Sequence, residues 1–409
     1  MYKRLHNLIG SSGAKTALIF IGGDTLNKAI PFLLLPLIIN KTTGYEFGLY
    51  SLGILFVQFS QAFCLSGMSA KVILAITKKK PFESVLGAGL LIAIFSALLL
   101  AVLLKYFSDL EVFSGFELNS ILLLILSGFC NALVALCMSV YQARLDAFRY
   151  ALLQLTQTIL VFLSIVTGVL LFSLNTVWML IFFASFIMLA IHSYLMFRER
   201  LAYRNVFGEL EENVRFALAQ LPHVMSSWVR LGYDRMILAS LVGVVAVGGY
   251  SAALQVGLVV SVVVMGMNKF MSPKILTALF AGSSVASYLR RAFAGVLILF
   301  CIVSVMGALL FYYFFPVDYL EYTYLIPVFC LAYAFQGAYF LVVNFLHFHD
   351  KSHFIFIPSV ASLVVHIFIA PLLIAKYGVA GGALALLVSW FLLFTFTLVL
   401  VFAVSKRSK

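Results

Sequence analysis

The chain has 409 residues, 64% of them hydrophobic and only 10% charged, with a formal net charge of +12. A soluble domain is nearer half apolar and a quarter charged, so the composition excludes an ordinary soluble protein. The basic excess is scattered over short segments rather than gathered into a patch. It therefore reads as membrane orientation and contact with anionic headgroups, not as a nucleic-acid footprint.

A membrane crossing needs about 20 apolar residues. Such stretches recur near 16–39, 47–70, 84–106, 118–141, 150–172, 176–197, 217–241, 244–268, 291–315, 323–346, 354–375 and 379–404. The expected fold is an all-α polytopic membrane protein with twelve transmembrane helices. Lys3, Arg4 and Lys15 precede the first span, as in a signal peptide. That span is long, lacks a small-residue cleavage site and contains Asp24 and Lys28, so it is read as a retained helix.

The first span reads Ile21-Gly22-Gly23-Asp24-Thr25-Leu26-Asn27-Lys28 and continues through Pro31 and Pro36. An ionisable side chain at the centre of a spanning helix costs about 2.5–3.5 kcal/mol by insertion scales unless it pairs or faces a wet cavity. The prolines bend the helix and free backbone carbonyls. Further along come in-membrane amides: Gln58 and Gln61 in the second span, Asn131 in the fourth, Gln154 and Gln157 in the fifth. Interhelical hydrogen bonding accounts for most such amides; contact with sugar hydroxyls is the other reading. The five cysteines fall inside apolar stretches without paired spacing, so neither a disulfide framework nor a zinc site is expected.

The longest polar break runs from Arg198 to Arg215. It divides the chain into a six-helix lobe over 1–197, a cytoplasmic linker over 198–216 and a second six-helix lobe over 217–409. Phe47-Gly48-Leu49-Tyr50-Ser51 is matched 200 positions later by Val247-Gly248-Gly249-Tyr250-Ser251. Asp146-Ala147-Phe148-Arg149-Tyr150 has a looser counterpart in Asp350-Lys351-Ser352-His353-Phe354, which favours a parallel internal repeat.

The second lobe opens on the other charged span, Trp228-Val229-Arg230-Leu231-Gly232-Tyr233-Asp234-Arg235. Asp24 and Lys28 are four apart, as are Arg230 and Asp234, so each pair is expected to meet on one helical face. That leaves Arg235 in excess. Structural ion pairs between helices are one reading; a positively charged cavity for an anionic substrate is the other. His347-Phe348-His349-Asp350-Lys351-Ser352-His353 has metal-like residues but no second cluster, and reads as a solvated loop. No Walker-type phosphate loop is present, so no ATP hydrolysis, cofactor or metal is expected. Of the 27 Lys and Arg residues, three lie inside spans and three (Lys41, Lys105, Lys376) on one side of the membrane, with the rest on the other. Both termini are thus expected to be cytoplasmic.

The stretch Tyr233-Asp234-Arg235-Met236-Ile237-Leu238, followed by Val247 to Ala253, resembles the seventh and eighth helices of the polysaccharide transporters of the multidrug/oligosaccharidyl-lipid/polysaccharide exporter superfamily. Phe47 to Ser51 and the late Tyr377-Gly378-Val379-Ala380-Gly381-Gly382-Ala383 resemble the same family, most closely its O-antigen flippases. The resemblance implies two lobes around a central cavity, alternating access, and no enzymatic activity. The substrate it implies is a polyprenyl-pyrophosphate-linked sugar repeat unit moved between leaflets of a bacterial inner membrane. Lys28, Arg230 and Arg235 would meet the pyrophosphate; Asp24 and Asp234 would pair with them or carry a coupling ion, proton or sodium. Partners would be the lipid-linked oligosaccharide, membrane lipids and other polysaccharide assembly proteins, with no nucleic acid. A lipid II or multidrug exporter of the same superfamily is the alternative, and a polysaccharide polymerase or ligase the alternative from another class. No outer loop is long enough to carry that last activity.

Overall fold

A computed structural model describes residues 11–107, 115–171, 173–198, 210–281, 283–349 and 351–407. Every described element is helical: α1 Ser11–Lys41, α2 Gly44–Leu65, α3 Met68–Thr77, α4 Glu83–Phe107, α5 Leu118–Ala143, α6 Ala147–Leu171 and α7 Leu174–Arg198. They are followed by α8 Leu210–Leu241, α9 Val244–Phe280, α10 Ala286–Phe314, a short α11 Val317–Leu320, α12 Leu325–Phe348, a single 3-10 turn Ser352–Ile355, α13 Phe356–Tyr377 and α14 Val379–Arg407.

Ten of these helices are long and apolar enough to cross a bilayer. Many of their large apolar side chains point outward, among them Phe95, Phe197, Phe368, Leu372 and Val399. A surface this apolar belongs in hydrocarbon, where the hydrogen bonds within each helix satisfy the backbone. The expected first and seventh spans correspond to α1 and α8, the two long helices that carry the ionisable residues. Residues 199–209, within the expected linker, lie outside the described residues.

One expected boundary is corrected, and two helices extend beyond the spans expected within them. The second span does not run to residue 70: the chain leaves α2 at Leu65, turns through Ser66 (φ 44°) and Gly67 (φ 75°), and restarts as the ten-residue α3. Two consecutive left-handed residues end a helix, and periodicity alone does not register them. α8 begins at Leu210 rather than 217, with Glu211 and Glu212 in its first turn where the dipole favours acids. Glu212 accepts a hydrogen bond from Lys71 Nζ at 3.1 Å, which holds its carboxyl below the usual carboxylate range. α9 continues past Asn268 to Phe280.

The helices form two compact units. One comprises residues 1–34 and 49–228, the other residues 35–48 and 229–409, so α1, α2 and α8 each contribute to both. In the first unit α5 is the central helix, packed by α3, α4, α6 and α7. In the second, α12 is central, packed by α9, α10 and α14.

Small residues set the closest approaches, as expected where no hydrophobic force draws helices together in lipid. In the first unit a side chain at Gly128 would strike Ser60 and the Val57 carbonyl, and one at Gly53 would strike the Trp178 ring. In the second unit the two repeated motifs meet each other. A Cβ on Gly48 would lie 2.0 Å from Val244 O, and one on Gly248 would lie 2.8 Å from Gly44 O. The start of α2 is fixed beside this contact by a capping box: Thr43 N donates to Glu46 Oε2 at 2.8 Å and Glu46 N to Thr43 Oγ1 at 3.2 Å. Backbone cannot yield as a side chain can. Gly48→Ala is therefore expected to cost about 1–3 kcal/mol or more, read as a lower thermal midpoint of the detergent-solubilised protein. An unchanged midpoint would contradict the close approach.

Candidate functional site: a buried arginine, aspartate and histidine cluster

The second unit buries a charged cluster built on α8. Arg230 and Arg235 are each 8% exposed and Asp234 1%. Facing them, α13 buries every fourth residue (Pro358, Ser362, His366, Ala370 and Ile374), an i, i+4 stripe along one side of the helix. Two rungs join the helices. Arg230 Nη2 donates to Ser362 Oγ at 3.0 Å, and His366 Nε2 lies 3.2 Å from Asp234 Oδ1. Each rung links residues 132 apart, so α8 and α13 run parallel here.

Further groups of the shell come from α9, α12, α13 and α14. Arg230 Nε donates to Ser389 Oγ at 3.1 Å, and its Nη2 also reaches Ser359 O at 3.3 Å. The guanidinium lies over the Trp390 ring, 4.9 Å from its centroid. Tyr250 Oη donates to Asp234 Oδ2 at 3.0 Å.

The expected Arg230–Asp234 pair is not formed. Residues four apart can meet on a helix surface, but here each finds a partner on a neighbouring helix. Arg230 spends its donors on serine oxygens and a ring face, and Asp234 accepts from Tyr250 beside His366. The side chains of Asp24 and Lys28, the other expected pair, lie outside the described residues.

Two features of the cluster bear on chemistry. The first is Arg235. Its Nε is buried with no hydrogen-bond partner among the described residues, and Tyr250, Tyr333 and Asp234 lie within electrostatic reach. Asp234 is the one carboxylate within that reach, and arginine remains charged even when buried. An unmatched buried cation is costly unless a ligand or water meets it; the unmatched charge favours an anion.

The second feature is His366. Its Nδ1 lies 3.2 Å from Ala385 O, while its Nε2 faces Asp234. A carbonyl and a carboxylate only accept, and a neutral imidazole has one N–H. Both contacts become hydrogen bonds only when one proton is added, on the ring or on the carboxyl.

Sequence reasoning singled out Arg230, Asp234 and Arg235, and the structure brings these three together. It passed over His366, Ser362, Ser389 and Tyr333. An imidazole isolated in an apolar stretch was a usable signal; the serines carried none. Of the amides in this unit, Gln336 accepts from Ser261 at 2.6 Å and Asn344 from Ser272, which is interhelical bonding.

The described fold is all-helical, with buried charges and ten helices long and apolar enough to cross a membrane. The chain belongs to the polysaccharide biosynthesis protein family, whose model matches residues 14–275, and so to the transporters of the multidrug/oligosaccharidyl-lipid/polysaccharide exporter superfamily. It is 23% identical over 377 residues to an uncharacterized membrane protein of Haemophilus influenzae, covering 86% of this chain and 88% of that one. Its fold is similar to that of the lipid II flippase MurJ in an inward closed conformation, with a TM-score of 0.74 at 15% identity over 94% of this chain and 87% of that one. It is also similar to an outward-facing multidrug resistance MATE family transporter, with a TM-score of 0.66 at 13% identity over 95% and 96% of the two chains.

Proposed function

We propose that the protein is a flippase that moves a polyprenyl-pyrophosphate-linked oligosaccharide, of the O-antigen repeat-unit type, from the inner to the outer leaflet of a bacterial inner membrane by alternating access. The observation that carries this reading is Arg235, a buried guanidinium whose Nε has no hydrogen-bond partner among the described residues, on the same helix as a second buried arginine. A pyrophosphate offers several anionic oxygens in a compact group, and the planar fork of arginine matches them. The polyprenyl chain needs no protein site, because it stays in lipid. Arg235 is the leading contact in the second unit, with Arg230 as a further cation there; Lys28, with Asp24 as its partner, is proposed as a separate cation of the first unit.

In the proposed architecture twelve helices form two six-helix halves, 1–197 and 217–409, with both termini cytoplasmic. The asymmetry of Lys and Arg between alternate loops supports that orientation.

Transport coupled to a proton follows from the same cluster. The Asp234–His366 pair takes up one proton and is surrounded by Tyr250, Tyr333, Tyr233, Arg235 and Arg230. Arrival of an anion at Arg235 and of a proton at the pair would neutralise the cluster together.

Proteoliposomes test the reading. Purified protein is expected to expose a fluorescent polyprenyl-pyrophosphate oligosaccharide to an externally added quencher faster than protein-free vesicles do, and an imposed pH gradient is expected to change the rate. No acceleration, together with pH-driven uptake of a cationic drug, would replace this reading with that of a multidrug exporter.

A further inference from the structure

The first unit holds a cavity of about 510 Å³, within the usual ~300–1,000 Å³ of small-molecule sites. Its wall is notable for amides: Asn27 from α1, Gln58 and Gln61 from α2, Asn131 and Gln142 from α5, and Gln154 and Gln157 from α6. No acidic or basic side chain is among its described lining residues. Tyr150 and Phe162 supply aromatic surface, and Ser69, Ser139 and Thr158 add hydroxyls.

Amides in lipid-embedded helices ordinarily tie helices together, and some here do. Gln157 Nε2 donates to Asn131 Oδ1 at 2.9 Å, and the Thr158 hydroxyl donates to Asn27. Others do not. Gln58 and Gln142 line the cavity as exposed residues, Gln61 is half-buried, and none of the three makes a side-chain hydrogen bond among the described residues. A glutamine that only joined helices would be bonded to one. Three glutamines whose side chains have no hydrogen-bond partner among the described residues instead present a neutral surface that matches groups able to donate and accept at once.

We infer that this amide-lined cavity is a carbohydrate subsite, which takes the uncharged sugar portion of the substrate by hydrogen bonds to its hydroxyl and acetamido groups. An amide offers both a carbonyl acceptor and two N–H donors, so a wall of amides meets a hydroxyl in either role. The described lining offers hydrogen-bonding groups rather than the counter-charge that a desolvated nucleotide, phosphate or cationic drug needs. The aromatic rings suit the C–H faces of pyranose rings. The inference rests on the reading of the chain as a carrier of a lipid-linked oligosaccharide.

The test uses full-length protein in detergent and two neutral probes without lipid or phosphate, chitotriose and maltotriose, with binding measured by saturation-transfer NMR. At least one is expected to bind. The double substitution Gln58→Leu with Gln142→Leu is expected to weaken it about tenfold or more, as for the loss of two neutral hydrogen bonds, with the thermal midpoint unchanged. Gln142→Ala alone carries the test if the double variant misfolds. Binding of neither sugar, or binding that the substitutions leave intact, overturns the subsite. Failure of the flippase reading shows differently: the sugar binds, yet the wild-type protein moves no pyrophosphate-linked lipid in vesicles.

Discussion

Arg235→Gln is expected to slow translocation of a polyprenyl-pyrophosphate oligosaccharide by on the order of 10- to 100-fold, the worth of one charge-assisted hydrogen-bonded contact. The thermal midpoint should fall less than for Arg230→Gln, because Arg235 Nε has no hydrogen-bond partner among the described residues to lose. Arg230→Gln should behave differently. Its guanidinium holds Ser359, Ser362 and Ser389 across two helices and stacks on Trp390, so its loss should lower the midpoint as well as the rate. Arg235→Lys should retain part of the activity, since it keeps the charge and loses the fork. The readouts are flipping rate in vesicles and thermal midpoint, for each variant at matched protein content. Full flipping by Arg235→Gln would remove the proposed anion contact.

Asp234→Ala carries the largest expected loss of stability. It strips the carboxylate from a cluster that contains Arg235 and His366, and leaves the Tyr250 hydroxyl without its acceptor. Breaking a buried pair by deleting one partner typically costs about 3–5 kcal/mol. His366→Gln should be milder, because the glutamine amide can still donate to Asp234. Because the two residues touch, the effects of Asp234→Ala and His366→Gln are not expected to add. The double variant should be less impaired than the sum by about 0.5–3 kcal/mol, from denaturation of the purified protein. Simple additivity would mean that the 3.2 Å contact contributes nothing to stability.

Much of this was legible from residue type and spacing. The apolar stretches located the helices, because a spanning segment must satisfy its own backbone. Arg230, Asp234 and Arg235 stood out because charge in such a stretch is rare. The paired glycine motifs flagged Gly48 and Gly248, whose close approach the structure explains.

The misses share one physical cause: sequence spacing describes a helix face, not the helix that faces it. The i, i+4 rule joined Arg230 to Asp234, whereas packing sends each to a partner 132 positions away. Ser362, Ser389 and His366 matter only because of where α13 and α14 lie, and a serine in an apolar helix is unremarkable until a guanidinium meets it. The turn at Ser66 and Gly67 depends on two left-handed residues, one of them not glycine. The amides were visible singly; their convergence from α1, α2, α5 and α6 on one cavity was not.

The most direct measurement of the central claim is a cryo-EM structure of the protein with a polyprenyl-pyrophosphate oligosaccharide bound. Pyrophosphate density is expected against the Arg235 guanidinium, at the ~2.7–2.9 Å of a charge-assisted hydrogen bond, with Arg230 still held by its serines. Pyrophosphate bound elsewhere, with Arg235 still unpartnered, would contradict it.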